Sequence, residues 1–270
     1  MKKLFVLLAV LVLSLVFGAC GNDEFVITVG ASPTPHAEIL NSDAVKSYVE
    51  SKGYKLNVLV YKDYVTPNSA LADKDLDANY FQHANYLADE IAQKGYKILN
   101  VANIHYEPLN LYGKAKPESW EGKTINIIND LSNAERALLL LKDANLITSY
   151  TMEGFNPSNP MANIESELVT IECLDAGLLA AKVNEGGYSV IPGNYALTAW
   201  NAKGASEYKI LGESEEVAAV SANLICVRED NKDSEKIKVL VEALGQESVA
   251  KFIEDTYGPT VVYYYQNLLK

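Results

Sequence analysis

Short apolar and polar blocks alternate along this chain, some with the two-residue period of a strand and others with helical spacing. Residues 25–29 predict a strand that stops at Gly30. The turn Ser32-Pro33-Thr34-Pro35 then opens a helix, with Thr34 as N-cap and Pro35 at the first helical position. That helix runs to about Ser51, with Ile39, Leu40, Val45 and Val49 near one face. Residues 55–61 alternate as a second strand, and Thr66-Pro67 repeats the cap-plus-proline start for a short helix. The stretch 77–87 falls at a strand-to-helix junction, with a helix over 86–95. Residues 97–104 and 109–113 read as strands, and 124–128 has the apolar run of a strand buried in a parallel sheet.

Ser132 and Glu135 have capping-box spacing, which places Asn133 and Arg136 in the first turn of a helix through Leu141. An arginine there opposes the helix dipole unless an anion docks against its guanidinium and the nearby amides. The alternative is a solvated arginine paired with a nearby acid. Residues 150–163 form a loop, 168–172 a strand, 174–183 a helix and 188–191 another strand. Asn194 then lies at a second strand-to-helix junction. Residues 216–228 read as a long apolar strand interrupted by Asn223, whose amide needs a partner if buried. Two helices, 234–244 and 247–257, and a tyrosine-rich tail end the chain. The polar connector 114–123 is a candidate crossing between lobes, with a return near 216–228. The alternation as a whole is that of an α/β protein with mostly parallel sheets.

The first residues have a different character. Lys2 and Lys3 precede an apolar run from Leu4 to Phe17, too short to span a bilayer, followed by Gly18, Ala19 and Cys20. This is an export signal over residues 1–19, and Val-Phe-Gly-Ala-Cys resembles a lipobox that makes Cys20 a lipidated N-terminus with 20–24 as tether. The alternative is ordinary secretory cleavage. The 270 residues suffice for one large domain or two modest ones, and a net charge of −12 without a basic stripe argues against nucleic acid as a partner. Cys173 and Cys226 sit among apolar neighbours and read as free buried thiols, although two exported cysteines could also pair.

Candidate chemistry concentrates in 77–87, where Tyr80, Phe81 and Tyr86 surround His83 with Asn79 and Asn85 nearby. Such aromatics either line an apolar ligand, its polar end fixed by amides and imidazole, or belong to the core. No nucleophile elbow, phosphate loop or H-E-x-x-H motif is present, and nothing calls for a cofactor. His36, His83 and His105 could converge on a metal, and Cys173 could pair with a histidine as a nucleophile.

Five blocks, in order, resemble the NlpA lipoprotein family, the methionine-binding components of ABC importers. They are Val29 to Leu40, Asp63 to Asn68, Asp77 to His83, Glu135 to Leu138 and Gly193 to Ala196. The resemblance covers most of the chain from Phe25 onward. It implies a two-lobed periplasmic-binding-protein fold (type II-like) with a hinge and a central ligand cleft. Residues 25–112 with about 222–270 would form one lobe and about 113–221 the other. It further implies that Tyr64, Phe81, His83 and Tyr86 hold a thioether side chain and that Arg136 pairs with the ligand carboxylate. Asn194 and Asn223 would help fix its amino and carboxylate ends, with Asn133 beside them. The expected protein is a lipid-anchored, extracytoplasmic, non-catalytic receptor that delivers L-methionine to a permease driven by a separate ATPase. Ala84-Asn85 after His83, Leu131 and Tyr80 depart from commoner Lys-Pro, Pro and Phe. D-methionine, a methionine derivative or a methionine-containing dipeptide are therefore alternative ligands.

Overall fold

The computed structural model describes residues 25–269, so the signal, Cys20 and the whole tether lie outside the described residues. The first strand, β1 (Val26–Ala31), runs into a wide turn over Pro33–Ala37. Thr34 does not cap a helix there: its backbone is extended, and its hydroxyl donates to the Glu38 carboxylate at 2.6 Å. The helix expected up to Ser51 is two pieces, α1 (Glu38–Asn41) and α2 (Asp43–Ser51). Ser42 breaks them by taking an extended backbone and accepting the Val45 N–H as a new N-cap. Strand β2 (Lys55–Val60), helix α3 (Thr66–Ala72), strand β3 (Ala78–His83) and helix α4 (Ala84–Lys94) follow. Gly95 ends α4 in the left-handed region, where a side chain would be strained.

Next come β4 (Ile98–Tyr106), β5 (Asn110–Tyr112), β6 (Lys123–Ile128) and α5 (Leu131–Asp143). A small ribbon of β7 (Ser149–Tyr150) and β8 (Ile164–Glu165) leads to β9 (Val169–Leu174) and α6 (Ala176–Asn184). Strand β10 (Tyr188–Ile191), helix α7 (Gly193–Tyr208, broken at Asn201) and strand β11 (Lys209–Gly212) complete the middle of the chain. The apolar run expected as one strand over 216–228 divides into α8 (Glu215–Ala219) and β12 (Asn223–Arg228), so Asn223 begins a strand and does not interrupt one. Helices α9 (Glu235–Leu244) and α10 (Glu247–Tyr257) lead to β13 (Val262–Asn267), a strand where the sequence showed only a tail.

These strands make two sheets, ordered β13-β4-β12-β3-β1-β2 and β11-β5-β10-β6-β9, each the centre of one lobe. Both are mixed, which corrects the expectation of mostly parallel sheets. β1 runs parallel to β2 and β3, but β12 is antiparallel to both β3 and β4. In the second sheet β6 is parallel to β9 and β10, while β5 is antiparallel to β10 and β11. The reason is the route of the chain: β5 and β12 are the first strands after each change of sheet, and each enters its sheet against its neighbours.

The crossings lie at 107–109 and 213–222, not in the connector 114–123, because Asn110–Tyr112 already hydrogen-bonds within the second sheet. The first lobe's core gathers Ile27, Val29, Ile39, Val45, Leu240 and Ile253, and the second gathers Leu111, Ile125, Leu138, Leu141 and Ile171. Cys173 and Cys226 are free thiols, the first only partly buried. No described helix is long and apolar enough to cross a membrane.

Candidate functional site

The two sheets turn the ends of their strands toward one cleft, where an α/β sheet presents side chains to a ligand. On the first lobe, β3 is interior and all six of its residues are buried. Phe81 and His83 fall two apart and share a face, while Tyr80 projects to the other, against His36 and His105. Tyr86, on the first turn of α4, donates its hydroxyl to the Tyr64 carbonyl at 3.0 Å. Tyr64, Phe81 and Tyr86 thus form a three-sided box with ring centroids 5.8–6.0 Å apart. His83 ends β3 and caps α4, its Nδ1 accepting the Tyr86 N–H, which leaves Nε2 to donate to Asn133 Oδ1 at 3.1 Å. Burial and the charge of Arg136 push His83 down to about 4, so it is neutral.

The second lobe supplies Asn133 and Arg136 from α5. Asp130, not Ser132, caps this helix: its carboxylate accepts from the Asn133 N–H at 2.9 Å and from the Ser132 hydroxyl at 3.1 Å. Asn133 therefore lies in the first turn and Arg136 in the second, one turn later than the capping-box spacing implied. Arg136 forks onto Glu213, with Nε and Nη2 each 2.6 Å from a carboxylate oxygen, and Nη2 also donates to the Glu107 carbonyl at 2.9 Å. Both readings of this arginine hold together. It is paired with an acid, and it lies partly buried on the cleft with Nη1 making no hydrogen bond among the described residues. Asn194, at the start of α7, accepts the Tyr64 hydroxyl at 2.7 Å across the cleft.

Behind the cleft lies a buried polar chain. Tyr80 donates its hydroxyl to His105 Nδ1, and His105 Nε2 donates to Glu107 Oε1 at 2.9 Å. His36 Nε2 donates to Asn223 Oδ1 at 3.0 Å and lies 3.9 Å from Glu107 Oε1. Asn223 reaches this point because it pairs in register with His83 on one side and His105 on the other. Burial pushes His36 down to about 4 and His105 to about 3, so both rings are neutral. Burial pushes Glu107 up to about 7, against the opposing pull of His36 and Arg136. The three histidines, which could have converged on a metal, do not all meet. His36, His105 and Glu107 form the one described group with metal-ligand donors close together, and His83 stands apart at Asn133. Among the described residues Cys173 has no hydrogen bond to a histidine, and burial pushes its thiol up to about 11, away from a nucleophilic thiolate.

All eight expected positions, Tyr64, Phe81, His83, Tyr86, Asn133, Arg136, Asn194 and Asn223, line one cavity together with Gln82, Glu107, Pro192 and Gly193. As the lobes stand, the free space between them is about 30 Å³. Its lining combines three aromatic rings with a guanidinium, three asparagine amides and a carboxyl group.

Residues 27–264 match the family model described as NlpA lipoprotein. The chain belongs to the NlpA lipoprotein family. A curated relative, the methionine-binding lipoprotein MetQ of Bacillus subtilis, is 36% identical, covering 97% of this chain and 98% of its own. A nutrient binding protein from Burkholderia cenocepacia, solved bound to methionine, superposes with a TM-score of 0.78 at 32% identity, covering 88% of this chain and 99% of its own. An ABC transporter periplasmic substrate-binding protein from Coxiella burnetii gives 0.77 at 31% identity, with 88% and 100% covered.

Glu107 and Gly193 of this NlpA-family cleft, and Glu213 behind Arg136, were not among the expected site residues. Glu107 had a local signal, an acid two residues past His105 at the end of a strand. Glu213 had none, since its partner Arg136 is 77 residues away. Gly193 was seen as part of a turn, but its role is space: a Cβ there would lie 2.3 Å from Glu107 Oε2.

Proposed function

We propose that this NlpA-family chain is the extracytoplasmic receptor of an ABC importer, capturing L-methionine and handing it to a permease driven by a separate ATPase. The observation that carries this reading is the cavity's combination of two chemistries. Tyr64, Phe81 and Tyr86 offer aromatic faces to a polarizable thioether, each contact contributing roughly 0.3–1.5 kcal/mol. Arg136, whose Nη1 makes no hydrogen bond among the described residues, would take the ligand carboxylate, with Asn133, Asn194 and Asn223 as further polar lining. Both charges of an amino acid are costly to bury unpaired, so a wall built in this way selects a zwitterion.

About 30 Å³ is room for roughly one or two waters, so an amino acid enters only when the lobes part. We assign residues 25–107 with 222–269 to one lobe and 108–221 to the other, hinged at the two crossings. The hydrogen bonds His83–Asn133 and Tyr64–Asn194 then form on closure. In this reading the chain performs no chemistry on its ligand, and its likeness to an ABC transporter periplasmic substrate-binding protein supports that role.

Native mass spectrometry of the mature protein, before and after denaturation, followed by calorimetry of stripped protein with methionine, tests the proposal. A released mass equal to methionine, and rebinding one to one with preference for the L form, is expected. A different released amino acid would replace the ligand, and no heat with any amino acid would refute the receptor reading. Cys20, which lies outside the described residues, is assigned as the lipid anchor. Cys20→Ser is expected to move the protein from the membrane fraction to the soluble one, and a variant that stays with membranes would refute the anchor.

A further inference from the structure

An α-amino acid carries its ammonium group one carbon from its carboxylate, so both charged partners must lie at the same end of the cavity. Arg136 is the cation there, and its charge is already matched by Glu213. Three acids of this region, one buried and two partly buried, are candidates for the ammonium group. Glu213 is committed, with both oxygens on Arg136 and Oε2 also accepting the Leu109 N–H at 2.7 Å. Asp130 is committed as the cap of α5 and does not line the cavity. Glu107 is the one carboxyl group among the lining residues. We infer that Glu107 receives the ammonium group of the bound amino acid and releases its proton to solvent as it does so.

This inference rests on the amino-acid reading above and deepens it. Glu107 is 5% exposed and held by what surrounds it. His105 donates to Oε1 from β4, the Asn194 N–H at the start of α7 donates to the carboxylate, and Gly193 leaves Oε2 space that any side chain would fill. The other groups facing it are His36 from the turn after β1 and Arg136 from α5, with the phenols of Tyr64, Tyr80, Tyr112 and Tyr257 further out. His36 and His105 are neutral, and the phenols stay protonated because burial raises them. Among these groups only Arg136 is positively charged near neutral pH, and its charge is already matched by Glu213. With burial holding Glu107 near 7, much of it keeps its proton until a cation arrives. The step balances as a carboxylic acid and an ammonium giving a carboxylate–ammonium pair and one proton in bulk water. The sign follows: affinity falls as pH drops below about 7, by up to about tenfold per pH unit, because a proton must leave before the pair forms.

The test compares wild type and Glu107→Gln with L-methionine and with 4-(methylthio)butanoate, which keeps the thioether and carboxylate but lacks the amine. Glu107→Gln is expected to lose about a hundredfold in methionine affinity and to bind the desamino acid within about threefold of wild type. Equal methionine binding by both proteins, or equal losses for both ligands, overturns the inference. On wild-type protein, calorimetry at pH 6.5 in phosphate and in Tris counts protons independently of how the variant folds. Heats that differ, with protons released, are expected, and identical heats overturn it. Wild type that binds no methionine defeats the receptor reading and this one with it. Wild type that binds while Glu107→Gln binds as well defeats this one alone.

Discussion

Arg136→Ala is expected to abolish measurable methionine binding and also to destabilise the protein, by about 3–5 kcal/mol. The second effect comes from Glu213, whose side chain is 2% exposed and would be left as a buried charge with Oε1 unpaired and Oε2 holding only the Leu109 N–H. Loss of binding by this variant is therefore ambiguous on its own, because it mixes a lost ligand contact with a weakened fold. The double variant Arg136→Met, Glu213→Gln separates them. It removes both charges, keeps an acceptor for the Leu109 N–H, and is expected to regain most of the stability in a urea melt. Methionine binding should remain absent, since Nη1 has gone. Recovery of binding in the double variant would show that Arg136 does not hold the carboxylate. An undiminished urea midpoint in the single variant would show that the Arg136–Glu213 pair contributes nothing to folding.

The next largest effect is expected from a single methyl group. Gly193→Ala places a Cβ 2.3 Å from Glu107 Oε2 and 2.6 Å from Glu107 Cβ, closer than real Cβ contacts come. Glu107 cannot simply swing aside, because His105 and the Asn194 N–H hold its carboxylate and the strand carrying His105 lies inside the sheet. Either the start of α7 retreats, carrying Asn194 off the Tyr64 hydroxyl, or Glu107 breaks from His105. Overpacking of this kind costs about 1–3 kcal/mol. The loss in methionine affinity should fall at the upper end of that range, about a hundredfold, because the strain falls on closure of the cleft. Gly177→Ala, where an added Cβ meets nothing within 4 Å, is the control and should leave both melting and binding unchanged. If Gly193→Ala binds methionine as the control does, Glu107 and the start of α7 are not the rigid pair described here.

Much of this protein was legible in the order of its residues. Hydrophobic periodicity located most of the strands and helices, because a two-residue or helical repeat is a local property that any burial must respect. Motif blocks in family order contain five of the eight cleft residues, Tyr64, Phe81, His83, Arg136 and Asn194, while Tyr86, Asn133 and Asn223 lie outside the blocks and came from the wider resemblance. Local chemistry misled where two caps competed. Ser132 had the right spacing with Glu135, yet Asp130, two residues earlier, offers a carboxylate to the same helix start.

What only the tertiary structure decided is what depends on groups far apart in sequence. Strand direction is one case: alternation is the same in parallel and antiparallel pairs, so the mixed sheets follow from where the chain crosses between lobes and not from any residue pattern. The ionisation of the cleft is the other. Glu107 by itself is an ordinary acid, as His36 and His105 are ordinary imidazoles. Only when folding removes water from all three and sets them beside Arg136 and Glu213 do their charges come to depend on one another. The sequence determines which groups reach the cleft, and desolvation together with the distances between them determines which of those groups are charged.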